Sequence, residues 1–391
     1  MRQVEHQPYH PRAIHGEVLD FAARLETHHP HFLLKQLYAT DLARQAFFCV
    51  AAEIDLDQPS GFLQQIHQHA PAVFAESSHL DPLAQIARAL IQMKPRKLLE
   101  VIFGCCPDGL TGLLARVGPT PFYRKDLYRT AFELCAKPQN RQRLKALGQL
   151  QGLVRPEQIL MASELDDVLV HRAVLERAKP LEVTALNAFA RMLPALCNAS
   201  DKDVRDSLDQ LPSNVRGVTI GQWCQSWLKQ QVRLPVPVPI PDNDPDLQVR
   251  IGADQESLGR RFRNCAGSLL SFAFTGERVL VEWVREGEEA VIDLALVRTG
   301  SEYRWQCENL SRPRNRRVSA MVARAIRERF DELGILYRFN PMPSDEQQGI
   351  AALLDHSLNA TFVDQHALAN ADDEHVERLL DALEVELEDT F

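Results

Sequence analysis

Cysteine, amide and arginine side chains with chemical potential are concentrated in two short segments of this sequence. The first, LGRRFRNCAG at residues 258–267, contains Arg260, Arg261, Arg263 and Cys265. Cationic neighbours at a helix start stabilise a thiolate, which makes Cys265 a candidate nucleophile. Such a nucleophile also needs a proton acceptor, and no histidine occurs between His171 and His356. We therefore expect Cys265 to be a small core residue, with the arginines on the other face of its helix.

The second segment, WQCENLSRPRNRR at residues 305–317, places two amide side chains at the end of a predicted strand. The amides of Gln306 and Asn309 could contact a base edge or orient a water molecule, since strand ends next to loops are common places for sites. Alternatively, Asn309 hydrogen-bonds its own backbone in a turn. Both interpretations stay open, and Cys265, Gln306 and Asn309 are the candidate catalytic residues if the protein is an enzyme.

Arginines crowd the same region. Nine lie between Arg298 and Arg329, against three glutamates. Guanidinium groups bind phosphate in a bidentate way and stack on bases, which favours a DNA-binding or RNA-binding surface. The predicted contact residues are Arg260, Arg261, Arg263, Arg304, Trp305, Arg312, Arg314, Arg316 and Arg317. The alternatives are a general preference for arginine, since no lysine follows Lys229, and pairing with acids near the C-terminus.

The elements that would position these residues begin with an all-helical domain at residues 1–231. Apolar residues recur there at the 3.6-residue period, in segments opened by a proline or a capping residue. In DPLAQIARALIQM, Asp81 is the expected N-cap and Pro82 a first-turn residue. Ser200 and Asp203 have capping-box spacing before another such helix. No fixed repeat period holds, so we expect a helical bundle or an irregular α-solenoid that binds a protein partner.

Residues 232–246 are expected to separate the helical domain from the arginine-rich one. Proline at alternate positions in VRLPVPVPIPDNDPD prevents a helix and enforces an extended chain. This segment is either a proline-rich linker or a strap ordered on the edge of a sheet.

Residues 247–343 are predicted to form a small α+β domain. The runs RVLVEWVR, AVIDLALVR and YRWQC are typical of strands. Turns at residues 286–288 and 299–301 would join them in an antiparallel meander. A short helix around Leu258–Phe262 and a later helix from Val318 to Leu333 would flank this sheet.

Residues 344–391 form an acidic tail, with thirteen Asp or Glu residues against Arg378 alone. Its apolar residues have helical spacing and are Val376, Leu379, Leu380, Leu383 and Leu387. The tail either packs on its own protein or docks on a partner and shields the arginines.

The order of the motifs in the α+β domain resembles the PcfJ-like family, whose members are encoded on bacterial conjugative plasmids and other mobile elements. The resemblance covers residues 245–335 and rests on Asn264-Cys265-Ala266 and on Gln306-Cys307-Glu308-Asn309. The family pattern has His-Cys-Val followed by an aromatic residue, and later a Gln with an Asn three positions on, usually after glycine. Here Asn264 replaces the histidine, Ser268 or Leu269 stands at the aromatic position, and Glu308 replaces the glycine. A histidine-dependent activity of the family would thus be absent from this chain.

Composition bounds the remaining possibilities. With 391 residues, 45% of them apolar, the chain can bury a core in two or three domains. A formal charge of -9 argues against general affinity for nucleic acid or anionic membranes, yet it can conceal a local patch of opposite sign. We find no signal-peptide or membrane-spanning pattern, no C-x-x-C and none of the common nucleotide-binding or hydrolase motifs. We therefore expect a cytoplasmic protein with neither metal nor cofactor.

These observations favour a non-enzymatic accessory protein of a bacterial plasmid or mobile element. In this interpretation the PcfJ-like domain contacts nucleic acid and the helical domain binds a protein. One alternative is a nucleic-acid-processing enzyme that uses Cys265, Gln306 and Asn309. The other alternative is a protein-interaction scaffold, in which the helical domain and the acidic tail are the relevant features.

Overall fold

The chain folds as two compact units. A computed structural model describes residues 10–212, 217–285, 289–316 and 318–337. The first unit comprises the described residues of Met1–Ala190 and Asp201–Ile220, and the second those of Arg191–Ser200 and Gly221–Phe391. The acidic tail expected at residues 344–391 lies outside the described residues. Among the described helices, none has the length and apolar character needed to span a bilayer.

The first unit is built from helices, as the sequence predicts. They are α1 (Glu17–His28), α2 (Phe32–Leu37), α3 (Asp41–Glu53), α4 (Ser60–His69), α5 (Pro71–Ser77), α6 (Pro82–Gln92), α7 (Pro95–Phe103), α8 (Leu110–Val117), α9 (Asp126–Ala136), α10 (Arg141–Gln149), α11 (Pro156–Glu164), α12 (Arg172–Arg177), α13 (Val183–Cys197) and α14 (Asp201–Asp209). The last residues of α13, from Arg191 onward, belong to the second unit. Short 3₁₀ helices lie at Pro138–Asn140, Asp167–Leu169 and Pro180–Glu182.

Local capping fixes where these helices begin. The Asp81 carboxylate accepts hydrogen bonds from the backbone N of Leu83 at 3.0 Å and of Ala84 at 3.1 Å, and Pro82 occupies the first turn of α6. This confirms the predicted N-cap. Helix α14 begins directly after Ser200, as its capping pattern predicts.

Helix α3 supplies much of the core of the first unit. Its residues 44–50 are all buried, including Arg44 and Gln45. The Arg44 guanidinium donates to the carbonyl oxygens of Pro119, Arg12, Gln36 and Ala13 at 2.8–2.9 Å. Burial lowers the pKa of Arg44 to about 10. Among the described residues this buried arginine forms no salt bridge and is held by four backbone carbonyls.

The second unit contains a five-stranded sheet with strands in the order β1-β2-β3-β4-β5. Its elements are α15 (Ile220–Leu228, from Gly221 onward), β1 (Leu247–Arg250), α16 (Gly252–Phe262), a 3₁₀ helix at Cys265–Leu269, α17 (Leu270–Thr275), β2 (Arg278–Trp283), β3 (Ala290–Thr299), β4 (Glu302–Ser311), a 3₁₀ turn at Pro313–Asn315, α18 (Ala320–Leu333) and β5 (Leu336–Tyr337). Strands β1 to β4 pair antiparallel, while β5 pairs parallel to β4. The sheet is therefore mixed. Strand β5 runs parallel to β4 because α18 carries the chain back to the end of the sheet at which β4 begins.

The two faces of the sheet pack against different helices. On one face, Val281, Ile292 and Leu294 form a core with Ile326 and Phe330 of α18. On the other face, Leu280 and Val291 pack on Leu258 and Phe262 of α16. The predicted helical domain followed by an α+β domain is thus confirmed at the level of fold class.

The proline-rich segment at residues 232–246 forms no helix or strand, yet it is ordered against the second unit. Ile240 is buried in the core of the sheet, and Leu234, Val236 and Val238 pack on it. The indole Nε1 of Trp305 donates to the carbonyl oxygen of Pro237 at 2.9 Å. Alternate residues therefore face the sheet and the intervening prolines do not belong to that cluster, as expected for a strap rather than a free linker.

Candidate nucleic-acid interface

The segment LGRRFRNCAG forms a tight corner between two helices. Helix α16 ends where Arg263 adopts a left-handed backbone conformation with a φ of 49°. The side chain of Asn264 then accepts a hydrogen bond from the backbone N of Ala266 at 3.1 Å and begins the next 3₁₀ helix. A Cβ on Gly259 would lie 2.7 Å from the backbone N of Gly267, so the two helices approach closely only because residue 259 is glycine. These residues have structural roles that the sequence motif alone did not reveal.

The arginines of this corner differ in their surroundings. Arg260 and Arg263 are exposed. Arg261 forms an ion pair with Glu282, and its guanidinium lies 5.2 Å from the ring centroid of Phe262. Arg261 is exposed as well, but its ion pair links α16 to the sheet, so Arg260 and Arg263 are the arginines placed to contact a ligand.

Cys265 occupies the first position of the 3₁₀ helix at Cys265–Leu269. The position of its side chain is not among the described ones, so the expectation that its thiol is buried stays a prediction. The backbone of its helix packs beside β2.

Trp305 does not lie on the surface where the sequence analysis placed it. Its side chain is 4% exposed and belongs to the core on the α18 face of the sheet. Side chains alternate along a strand, and this places Trp305 and Cys307 inside, with Arg304 and Gln306 on the opposite face. The prediction that Trp305 contacts nucleic acid was therefore wrong. Arg304 is half-exposed and pairs with Glu302 at 3.2 Å.

Gln306 and Asn309 flank a β-bulge at Glu308. Asp293 of β3 pairs with Asn309, whereas Leu294 pairs with Cys307, which leaves Glu308 as the extra residue. The Gln306 amide donates to the Glu308 carboxylate at 2.5 Å. The Asn309 side chain accepts from the backbone N of Leu310 at 2.9 Å, which is the local hydrogen bonding considered as its alternative role.

The candidate catalytic residues lie on different elements of the second unit. Gln306 and Asn309 lie on β4, and the helix that contains Cys265 packs beside β2. Strands two positions apart are separated by about 10 Å. The side chains of Gln306 and Asn309 are engaged in local hydrogen bonds.

Two buried carboxylates on the α16 face of the sheet were missed by the sequence analysis. Glu282 accepts from the Nε of Arg250 at 2.7 Å in addition to its pair with Arg261. Asp293 pairs with Arg278, and burial raises its pKa although the guanidinium acts in the opposite direction. The sequence does contain a signal for them, because each is the single acidic residue inside an apolar strand, Glu282 in VLVEW and Asp293 in AVIDLAL.

The arginine-rich segment after β4 forms a turn beside α16. The backbone N of Arg312 donates to the carbonyl oxygen of Arg316 at 2.8 Å across the 3₁₀ turn Pro313–Asn315. Arg314, with a φ of 61°, and Arg316 are exposed. This turn contacts α16. Arg317 lies outside the described residues.

The fold thus brings the two arginine-rich segments together, although about fifty residues separate them in the chain. We define the arginine corner as Arg260, Arg263, Arg314 and Arg316. Within the described ranges none of these four side chains forms a salt bridge, and Arg312 beside them is half-buried. Exposed guanidinium groups without a salt bridge, carried on two segments in contact, create a positive potential that attracts polyanions.

Over the part of the chain that the structure describes, no group of three or more His, Cys, Asp or Glu residues could hold a metal ion. Comparison with known proteins gives no match to a family model, a curated protein or a solved structure. The resemblance to the PcfJ-like family therefore still rests on the motifs alone.

Proposed function

We propose that the second unit binds nucleic acid through the arginine corner and does so without chemistry of its own. The observation that supports this proposal is the proximity of α16 and the turn Pro313–Asn315, each of which carries exposed arginines. Guanidinium groups suit phosphate because their planar fork can make two parallel hydrogen bonds to its oxygens.

A local contact is compatible with the acidic character of the whole chain. The formal charge is -9, and residues 344–391 contribute thirteen acids and one arginine, which is -12. The remaining residues 1–343 therefore carry -9 minus -12, or +3. A polyanion that approaches the arginine corner meets a local excess of positive charge, despite the sign of the total.

The wider role is proposed on the resemblance to the PcfJ-like family. We infer an accessory protein of a bacterial plasmid or mobile element in which the helical unit binds a protein partner. A processing enzyme is less well supported, because the side chains of Gln306 and Asn309 are engaged in local hydrogen bonds.

The test is a fluorescence-anisotropy titration of the full chain with labelled twenty-nucleotide single-stranded DNA and RNA. The double variant Arg314→Glu, Arg316→Glu should raise Kd at least about tenfold and reduce the salt slope by about 1.4, at 0.7 per lost phosphate contact. The matched control is Arg298→Glu, Arg324→Glu, two exposed arginines outside the corner with the same charge change. Equal loss of affinity in both variants would show that only net charge matters and would remove the proposed site.

The same samples report on the enzymatic alternative. Denaturing electrophoresis after the titration should show an intact probe with and without divalent cations. A cleaved probe would overturn the non-enzymatic proposal, and loss of cleavage in Asn309→Ala would then assign the activity to β4.

A further inference from the structure

A groove in the first unit carries a second concentration of positive charge. It has a volume of about 880 Å³ and lies between α10, α12 and α14. Its lining includes the four cations Arg141, Lys145, Arg172 and Arg205, against the single carboxylate of Asp209. None of these residues was singled out by the sequence analysis, because they come from three separate helices.

Part of this charge is already compensated within the unit. The Nε2 of His171 lies 3.0 Å from Asp209, and its Nδ1 accepts from the backbone N of Ala173 at 3.2 Å. Arg172 lies 3.8 Å from Glu176. The imidazole and the carboxylate therefore satisfy each other's hydrogen bonds, Glu176 offsets the charge of Arg172, and Arg141, Lys145 and Arg205 remain against the single charge of Asp209.

Arg141 and Lys145 remain as exposed cations on one face of α10, one helical turn apart. Arg205 lies across the groove on α14, and its Nε is buried with no hydrogen-bond partner among the described residues. In the described ranges none of the three forms a salt bridge. Among the described residues, the cations on both walls of the groove thus form no salt bridge, and Asp209 is the one carboxylate in the lining.

The residues that line the groove suit a phosphodiester backbone better than an acidic amphipathic helix. Four of the five apolar lining residues, Ala146, Val170, Ala173 and Leu208, are buried and Leu211 is partly exposed, so an amphipathic helix would find one accessible apolar side chain to cover. The accessible lining is cationic and amide, with Gln142 and Gln149 on the exposed side of α10. Phosphodiester groups need such donors and cations and require no apolar floor.

We propose that this groove is a second phosphate-binding site, which contacts the backbone of a single-stranded nucleic acid. The inference rests on the proposed function only for the class of ligand, because the residues of the groove are separate from the arginine corner. Each unit then contributes its own phosphate contacts.

The test uses the full chain and a 5′-labelled twenty-nucleotide oligouridine as the probe. The groove variant is Arg141→Glu, Lys145→Glu, and its matched control is Lys94→Glu, Lys202→Glu, two exposed lysines of the same unit outside the groove. We expect the groove variant to raise Kd at least about tenfold and to lower the salt slope by about 1.4, while the control stays within about twofold. Equal Kd values for the groove variant and its control would overturn the proposal.

Two further measurements distinguish this inference from the proposed function of the second unit and from binding of an acidic peptide. If the groove variant loses affinity while Arg314→Glu, Arg316→Glu does not, the groove stands and the proposed function of the second unit fails. The reverse pattern overturns the groove alone. A labelled peptide of alternating glutamate and leucine should bind no more tightly to the wild type than to the groove variant. Groove-dependent binding of the peptide without binding of RNA would overturn the assignment to phosphate.

Because Arg141 and Lys145 are exposed and form no salt bridge within the described part of the unit, both substitutions should leave folding unchanged. Circular dichroism and the thermal transition of each variant check this. A groove variant that melts like the wild type and binds like the control would contradict the inference directly.

Discussion

The described arginine residues have three different environments: buried among carbonyl oxygens, paired with a carboxylate, or exposed without a salt bridge. Arg44 is buried among carbonyl oxygens, while Arg261 and Arg329 are paired with the carboxylates of Glu282 and Asp244. In the described ranges the four arginines of the arginine corner form no salt bridge, and neither do Arg141 and Arg205 of the groove, whereas Arg172 of the groove lies 3.8 Å from Glu176. Sequence counts revealed the excess of arginine after residue 298, but the pairing acids come from distant parts of the chain. The sequence therefore predicted the residue type of the proposed site and could not predict which arginines form no salt bridge.

Asp244 shows how one residue of the strap is held. Its Oδ2 accepts from the Nη2 of Arg329 at 2.6 Å, and its Oδ1 accepts from the backbone N of Asp246 at 3.0 Å and of Leu247 at 2.9 Å. Burial acts to raise the pKa of Asp244, but these hydrogen bonds together lower it below its ordinary value. A depressed pKa means that the ionised carboxylate stabilises the fold above about pH 4 and that this contribution is lost as the pH falls below the ordinary value.

We therefore predict that Asp244→Asn lowers the stability at pH 7 by about 2 kcal/mol, since it removes a charged acceptor from a buried group of donors. The difference from the wild type should shrink as the pH is lowered from 5 to 3. The measurement is the thermal transition of both proteins across that range. A difference that stays constant with pH would show that the ionised form of Asp244 contributes nothing.

At the scale of elements, the sequence predicted those whose signals are local. The N-cap at Asp81, the helix after Ser200 and the strands β2 and β3 follow from capping chemistry and from alternation. Helix α16 begins at Gly252, earlier than predicted, because a polar first turn hides its period. The parallel strand β5 and the bulge at Glu308 depend on partners elsewhere in the sheet and have no local signal. The burial of Trp305, by contrast, was predictable from the sequence, because the alternation in YRWQC places it on the apolar face of the strand.

Two glycines, Gly259 and Gly267, lie where α16 meets the 3₁₀ helix at Cys265–Leu269, and they can be compared by substitution. A Cβ at position 259 would lie 2.7 Å from a backbone nitrogen, whereas a Cβ at position 267 meets nothing within 4 Å. We predict that Gly259→Ala destabilises the protein by about 1–3 kcal/mol, because two helix backbones must separate. Gly267→Ala should change the stability by no more than about 0.5 kcal/mol.

Thermal unfolding of the two glycine variants checks the stability difference. The anisotropy titration should also show weaker nucleic-acid binding for Gly259→Ala alone, since the same movement displaces Arg260 and Arg263. Equal stability of the two variants would mean that the corner relaxes without cost and that its close approach has no role in positioning the arginines.

At the scale of the whole molecule, opposite charges are concentrated in different parts of the chain. Residues 1–343 carry a net +3 and residues 344–391 a net -12. The arginine corner and the groove both lie in the positive part. This division is fully predictable from the sequence, but the positions of the cations in space are not, because they depend on how α10, α14, α16 and the turn after β4 pack.

The last prediction concerns the acidic tail, and it follows from charge alone. Replacing all thirteen Asp and Glu residues of 344–391 by Asn and Gln keeps the length of the chain and changes its formal charge from -9 to +4. Repulsion between the tail and a polyanion would disappear, so the affinity for labelled oligouridine should rise about tenfold at 50 mM salt. At 500 mM salt the Debye length falls to about 4 Å, and the two proteins should then bind with similar Kd values. An affinity that does not change at low salt would mean that the acids do not act on the bound strand, whereas a gain that persists at high salt would indicate that the tail covers a binding surface by direct contact.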